Sequence, residues 1–355
     1  SPREHFTVGI VDDVTHTSIR HDPDAWHEPD DVVRAVFYGL GSDGTVGANK
    51  NSVRIIGERT DLWAQGYFVY DSKKSGSQTV SHLRISPRPI PSTYLITEPT
   101  FIAVHQFGLL GRADLLHATV PGSKFLLNSP HAPDETWDHL PREVQRTIVG
   151  RDLELWVVDA GRIAMEEGLG NRINTVLQTC FFMLNQDLLL LDAAIAAMKE
   201  EIVATYGKRG PEVVERNFDA IERALAAMEQ VKVPDTAPPP LPVSLPPELE
   251  GATDFVRRTT AVMMEGRGDL LPVSALPVDG TFPTGTARYE KRSLASEIPI
   301  WNPEICTDCA RCAMACPHAA IRIKAYLPGA LEGAPEGFAH KDAVGRGMAG
   351  RALTV

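Results

Sequence analysis

The sequence of 355 residues predicts an α/β protein with a Rossmann-like, mainly parallel sheet and covering helices, then an extended proline-rich connector and a small cysteine-bearing module. Three observations support this fold class. Short β-rich runs alternate with helical stretches at first, proline is frequent in the next part, and four of the five cysteines lie together near the end. The predicted domain boundaries are 1–232, 233–297 and 298–355.

The first predicted strand is the run VVRAVFY at residues 32–38, which is β-rich and stops at a glycine. A helix is expected at Asn49 to Gly57, followed by a second strand at Tyr67 to Tyr70. Four further short apolar runs are strand candidates: 93–96, 101–105, 115–118 and 153–159. Because strands that alternate with helices usually form parallel sheets, the first domain is predicted to be mainly parallel.

From Asn174 onward the pattern becomes helical. The predicted helices are 177–191, 193–206 and 212–231. The stretch 234–247 then contains A-P-P-P-L-P and L-P-P, and proline supplies no backbone N–H to a helix or a sheet. We therefore expect an extended connector with one helix, at Asp254 to Met264.

Composition and charge exclude some functions. The hydrophobic fraction of 43% is ordinary for a globular protein, and the formal net charge of -11 disfavours binding to nucleic acid, whose phosphates require basic patches. No apolar run reaches the roughly 18 residues that a membrane-spanning helix needs. The first residues carry no apolar signal core, so we expect a cytoplasmic protein.

Residues 38–52, YGLGSDGTVGANKNS, join the first predicted strand to the first helix. Backbone N–H groups at such a junction favour an anion. Gly39, Gly41 and Gly44 fit G-x-G-x-x-G, which alone is a weak dinucleotide signal. The usual acidic residue is displaced, and the second strand instead ends in Asp71-Ser72-Lys73-Lys74, which suits phosphate better than a ribose. A glycine turn without a ligand and solvated lysines are the alternatives.

Cys306, Cys309, Cys312 and Cys316 follow the spacing C-x2-C-x2-C-x3-C-P, by which bacterial ferredoxins hold [4Fe-4S] clusters. A zinc site usually has two cysteine pairs and a longer spacer, and a disulfide framework belongs to short secreted chains. In two-cluster ferredoxins the fourth cysteine ligates the other cluster. The module is thus predicted to be a truncated bacterial ferredoxin-like domain, and Cys180 a buried hydrophobic residue.

Four segments resemble, in order, those of the pyruvate:ferredoxin (flavodoxin) oxidoreductases. They are HFTVGIVDDVTHTS (5–18), GLGSDGTVGANKNSVRIIG (39–57), GLGNRINTVLQTCFF (168–182) and WNPEICTDCARCAMACPHAAIR (301–322). The resemblance extends over essentially the whole chain. It implies an enzyme that oxidises pyruvate with thiamine diphosphate, passes electrons singly through iron–sulfur clusters, and releases acetyl-CoA and carbon dioxide.

The resemblance also implies that the first domain binds coenzyme A. The implied contacts are Ser42, Asp43, Gly44, Thr45, Val46, Lys74, Asn174 and Asn217, with Arg216 as the alternative to the last. Asn174 could instead cap a helix. His5 and His105 are expected to be structural, because no acidic residue or second histidine stands at ligand spacing.

The chain lacks the G-D-G and N-N motif that holds thiamine diphosphate, so that cofactor and its Mg²⁺ are expected on other parts of the enzyme. Residues 334–343, APEGFAHKDA, resemble the spacer before a second cluster motif. We therefore expect an internal fragment, inactive alone, of an enzyme that forms homodimers and reduces ferredoxin or flavodoxin. The alternative is a stand-alone electron-transfer module whose glycine turn binds NAD(P), which a second C-x2-C-x2-C downstream would disfavour.

Overall fold

The computed structural model describes residues 4–20, 22, 25–41, 43–71, 77–111, 114–240, 249–289, 298–317 and 319–355. The chain forms two compact units, Ser1–Leu294 and Ala295–Val355. In its described part, no helix is both long enough and apolar enough to cross a membrane.

The first unit contains a seven-stranded sheet. A separate short parallel pair precedes it, β1 (Thr7–Val8) and β2 (Ser18–Ile19). The strands of the sheet are β3 (Val33–Leu40), β4 (Trp63–Tyr70), β5 (Gln78–Ser86), β6 (Phe101–Val104), β7 (Lys124–Asn128), β8 (Glu154–Val158) and β9 (Glu229–Gln230). Their order is β4-β5-β3-β6-β7-β8-β9. The four consecutive strands β3, β6, β7 and β8 are parallel, whereas β4, β5 and β9 are antiparallel to their neighbours.

Helices cover both faces of this sheet. They are α1 (Thr45–Arg59), α2 (Pro133–His139), α3 (Arg142–Gly150), α4 (Ala160–Glu166), α5 (Asn174–Leu184), α6 (Leu191–Tyr206) and α7 (Pro211–Ala227). Because side chains alternate along a strand, the central strands contribute to two separate cores. One core packs against α1 and α4 to α7, and the other against α3. Helix α5 is almost wholly buried, and Phe181 on it makes edge-to-face contacts with Phe37 and Phe101.

The rest of the first unit is an arm. A π-helical turn at Val256–Thr260 leads into α8 (Ala261–Met264), which agrees with the predicted helix. Val11 bridges to Pro272, so the arm pairs with the N-terminal segment. The second unit holds α9 (Arg311–Ala315) and an antiparallel sheet of β10 (Lys324–Tyr326), β11 (Lys341–Asp342) and β12 (Ala352–Thr354), with β12 in the centre.

The predicted α/β fold class is confirmed, but individual elements differ from their predictions. The predicted strands at 93–96 and 115–118 were wrong: the first segment is irregular and the second is a turn. Their apolar side chains Ile96 and Leu116 are buried without pairing of the backbone in a ladder, so burial alone produced the pattern. Helix α1 begins at Thr45, not Asn49, and the helix predicted at 177–191 ends at Leu184.

Candidate functional site

The glycine-rich turn lies between β3 and α1, at the carboxyl end of the parallel strands. A Cβ atom on Gly39 would overlap the Thr45 side chain, and one on Gly41 would lie 2.6 Å from the Ser77 hydroxyl oxygen. Gly44 has a φ of +87°. Only glycine meets these three demands without strain, so the G-x-G-x-x-G spacing has a steric explanation here.

Asp43 stabilises the turn through hydrogen bonds to its backbone. Its side chain is buried, with Oδ2 accepting from the Leu40 N–H at 2.7 Å and Oδ1 from the Thr45 N–H at 2.9 Å. Both carboxylate oxygens are thus used within the protein. The first-turn N–H groups of Val46 and Gly47 have no intrahelical acceptor, as at any helix start, and they remain for an anion.

Thr45 connects the turn to the sheet. Its hydroxyl shares a 2.6 Å hydrogen bond with Nδ1 of His105, which directly follows β6. The His105 N–H donates to the Tyr38 carbonyl, and its own carbonyl accepts from the Asn128 side chain. Asn128 in turn accepts from the Ala160 N–H. These bonds join the carboxyl ends of β3, β6, β7 and β8 at the edge of the sheet where the turn lies.

Burial lowers the pKa of His105 to about 4, although the nearby Asp43 raises it. The ring is therefore neutral at pH 7. Its contact with the Thr45 hydroxyl is a hydrogen bond between two uncharged groups. This agrees with the structural role predicted for His105. The sequence did not reveal its contact with Thr45; the available signal was its place at the end of a predicted strand parallel to the first one.

Asn174 is brought to the turn. A Cβ atom on Gly44 would lie 2.9 Å from both Cβ and Cγ of Asn174, so the two residues are in contact distance with no room between them. The alternative that Asn174 caps a helix was wrong: the N-cap residue of α5 is Ile173, and Asn174 is already inside the helix. Asn174 is half-buried and lies beside the turn.

Asn217 lies deeper than predicted for a contact residue. Its Oδ1 accepts from the Thr175 hydroxyl at 2.9 Å and its Nδ2 donates to the Val213 carbonyl at 2.8 Å. The neighbouring Arg216 is partly exposed, pairs with Glu212 and points Nη1 at the Gly168 carbonyl. Of these two alternatives, the arginine has the accessible head group. The other two predicted contacts, Ser42 and Lys74, lie outside the described residues.

The four clustered cysteines lie in a loop of the second unit and in α9. Cys309 and Cys312 are exposed, whereas Cys306 and Cys316 are partly buried. Asp308 and Ala310 have φ values of +58° and +56°, so the backbone curls tightly between the first three cysteines.

The sulfur atoms of Cys309 and Cys316 receive hydrogen bonds, whereas the Cys306 thiol donates to Oδ1 of Asp308 at 3.6 Å. The Ala320 N–H lies 3.3 Å from Sγ of Cys316. The Arg311 N–H, together with the Thr307 hydroxyl, lowers the pKa of Cys309 and so favours the thiolate that ligates iron. Across the described ranges no three potential metal ligands are gathered closely enough to hold an ion. The donor chemistry nevertheless fits a thiolate-bound cluster, which Cys306, Cys309 and Cys312 would hold together.

Cys180 behaves as predicted. It is completely buried in α5, and burial raises the pKa of its thiol to about 12. A thiol with such a pKa is inert at pH 7 and serves as a small apolar side chain.

Comparison with known proteins identifies the relationship. A family model described as pyruvate ferredoxin/flavodoxin oxidoreductase matches residues 34–227, more than half of the chain. The chain belongs to this oxidoreductase family. A model of a domain of unknown function matches residues 243–295. A 4Fe-4S binding domain matches residues 298–321, which confirms the type of cluster predicted from the cysteines.

Relatives in the family match along the whole chain. A protein named putative pyruvate-flavodoxin oxidoreductase from Synechocystis sp. is 50% identical over 355 residues, and a pyruvate-flavodoxin oxidoreductase from Nostoc sp. is 51% identical over 361; each alignment covers 100% of this chain and 30% of the relative. The pyruvate:ferredoxin oxidoreductase of Moorella thermoacetica is 47% identical, over 99% of this chain and 30% of the relative. The chain thus spans about 30% of the length of these curated relatives.

Proposed function

We propose that this chain is the part of a pyruvate:ferredoxin (flavodoxin) oxidoreductase that binds coenzyme A in its first unit and carries a cluster motif in its second. The observation that carries the coenzyme A assignment is the start of α1: three sterically required glycines form the turn, no side-chain cap follows at the helix start, and Asn174 lies against Gly44. A phosphate group on this turn receives N–H donors and the positive end of the helix dipole.

The complete enzyme would convert pyruvate, coenzyme A and two oxidised acceptor molecules into acetyl-CoA, carbon dioxide, a proton and two singly reduced acceptors. Thiamine diphosphate with Mg²⁺, bound on other parts of the enzyme, supplies the chemistry that cleaves the bond to the carboxylate. This chain's residues position coenzyme A and hold iron. Pairs of full-length chains would assemble as a homodimer in the cytoplasm, and the acceptor would be a ferredoxin or a flavodoxin.

The side chains around the turn have different tasks in this proposal. Asp43, Thr45 and His105 face inward and keep the turn in shape, so they contribute to binding through the backbone. Asn174 and the first-turn N–H groups face the ligand. Lys74 adds positive charge for the phosphates, and Asn217 supports Thr175 from behind α5.

The assignment is tested with a substitution that adds a negative charge to the side chain but keeps its size. Asn174→Asp places a carboxylate beside the turn, and we expect the Kd for coenzyme A to rise roughly tenfold, about 1.4 kcal/mol, in isothermal titration calorimetry. Asn171→Asp, in the exposed loop just before α5, is the matched control and should bind like the wild type. Equal affinities of both variants, or tight binding of NAD(P) with no binding of coenzyme A, would reject the assignment.

A further inference from the structure

The residues at and after β11 contact the loop that carries Cys306 and Cys309. Nζ of Lys341 donates to the Cys306 carbonyl at 2.6 Å and to Oδ1 of Asp308 at 2.9 Å. Three residues further on, the Val344 N–H donates to Oδ2 of Asp308 at 2.6 Å. Lys341, within the stretch that resembles a spacer, and Val344, directly after that stretch, therefore hold the loop between the first two cysteines with three hydrogen bonds.

Asp308 is the centre of this contact. Its side chain is only 5% exposed, and both carboxylate oxygens accept hydrogen bonds from the β11 segment. Its backbone is left-handed, with a φ of +58°, a conformation that costs a non-glycine residue energy unless its surroundings hold it. The Lys341 and Val344 contacts supply that restraint. The backbone angle at Asp308 in turn sets how Cys306 and Cys309 are presented relative to each other.

We propose that Lys341 is a positioning residue of the cluster site, which acts through the Cys306 carbonyl and the Asp308 carboxylate. This inference rests on the proposed role of the cysteines as cluster ligands. Lys341 fixes the turn between two of these ligands and places an ammonium group next to the first one. A thiolate-bound cluster is anionic and becomes more so on reduction, so a nearby cation favours the reduced form.

A surface ion pair without function is the competing explanation, and burial argues against it. Exposed pairs contribute little, but the side chain of Asp308 is 5% exposed and that of Lys341 is 20% exposed. Removal of either partner leaves the other without this counter-charge. The pair is also not free to move, because the ammonium group simultaneously binds the carbonyl of Cys306.

The experiment compares cluster retention in the complete oxidoreductase, assembled anaerobically. Lys341→Met and Asp308→Asn are the test variants, and Lys324→Met on β10 and Asp342→Asn beside Lys341 are matched controls at exposed positions. We expect the test variants to lose iron to a chelator roughly tenfold faster than the wild type, and the controls to lose it at the wild-type rate. Lys341→Arg keeps the charge and the donors and should restore retention.

A second readout separates positioning from a general loss of folding. The reduction potential of the remaining cluster, followed by electron paramagnetic resonance, should fall in Lys341→Met and rise in Asp308→Asn, because the two changes remove opposite charges. Iron loss at the control rate, or faster loss with unchanged potentials, overturns the inference. If Cys306→Ser leaves the iron content and the resonance signals unchanged, the assignment of the cysteines as ligands fails instead.

Discussion

Gly44 has two reasons to be glycine, its positive φ and the closeness of Asn174. Gly47, three residues later and inside α1, has neither: no atom lies within 4 Å of the Cβ position, and its φ is in the ordinary range. The same substitution should therefore have opposite effects at the two sites.

We expect Gly44→Ala to lower the free energy of unfolding by about 1–2 kcal/mol, because alanine is strained in the left-handed region. Gly47→Ala should raise the free energy of unfolding by about 0.5–1 kcal/mol, because alanine is the better helix former. Urea denaturation of both variants measures the difference. Two changes of equal sign would show that the turn does not hold the conformation described for Gly44.

Residues of the site could be predicted where the backbone conformation requires one residue type, such as glycine. They were harder to predict where their contacts come from distant segments of the chain. The glycine spacing identified the turn at 39–44. The link from Thr45 to His105 depends on how β3 and β6 pair, which no local pattern encodes.

Strands β5 and β7 are not among the predicted strands, and β5 shows how a strand can escape prediction. Strands are recognised by β-branched and aromatic residues, but β5 reads QTVSHLRIS and buries Ser81, His82 and Arg84. Arg84 is tolerated there because Glu28 binds it through two hydrogen bonds of 2.8 Å. The helices α6 and α7 lie at Leu191–Tyr206 and Pro211–Ala227, close to their predicted ranges of 193–206 and 212–231.

The Arg84–Glu28 pair predicts a difference between buried and surface ion pairs. Glu28→Gln leaves the guanidinium of Arg84 without its counter-charge at a site only 2% exposed, and should lower the free energy of unfolding by about 3–5 kcal/mol. Asp31→Asn disrupts the half-exposed pair with Arg88 and should cost less than about 1 kcal/mol. Chemical denaturation at constant ionic strength gives both values. Comparable losses would mean that burial of the Arg84 pair has no energetic consequence.

At the scale of the molecule, two buried histidines connect stability to pH. Burial lowers the pKa of His82 to about 4, with the Arg84 charge as a second cause, and burial also lowers that of His105 to about 4. In the unfolded chain each titrates near 6.5, so between these values only the unfolded state takes up the protons. The stability contributed by the neutral rings is complete above pH 6.5 and is lost as the pH falls toward 4.

We therefore expect the free energy of unfolding to decrease between pH 7 and pH 5. His105→Gln, which cannot titrate, should reduce this pH dependence, whereas His117→Gln at an exposed position should retain it. Urea titrations at several pH values provide the test. An identical slope in His105→Gln and the wild type would contradict the buried, neutral ring.

The strand order has a consequence for synthesis. Strand β8 lies next to β7 on one side, but its other neighbour, β9, is separated from it in the chain by α4, α5, α6 and α7. While a ribosome makes these helices, the outer backbone groups of β8 have no partner in the sheet. An unpaired strand of this kind is a template for association between nascent chains. A polypeptide that stalls before residue 229 thus has β8 as an unpaired edge strand, which pairs with β9 once Glu229 and Gln230 have been added.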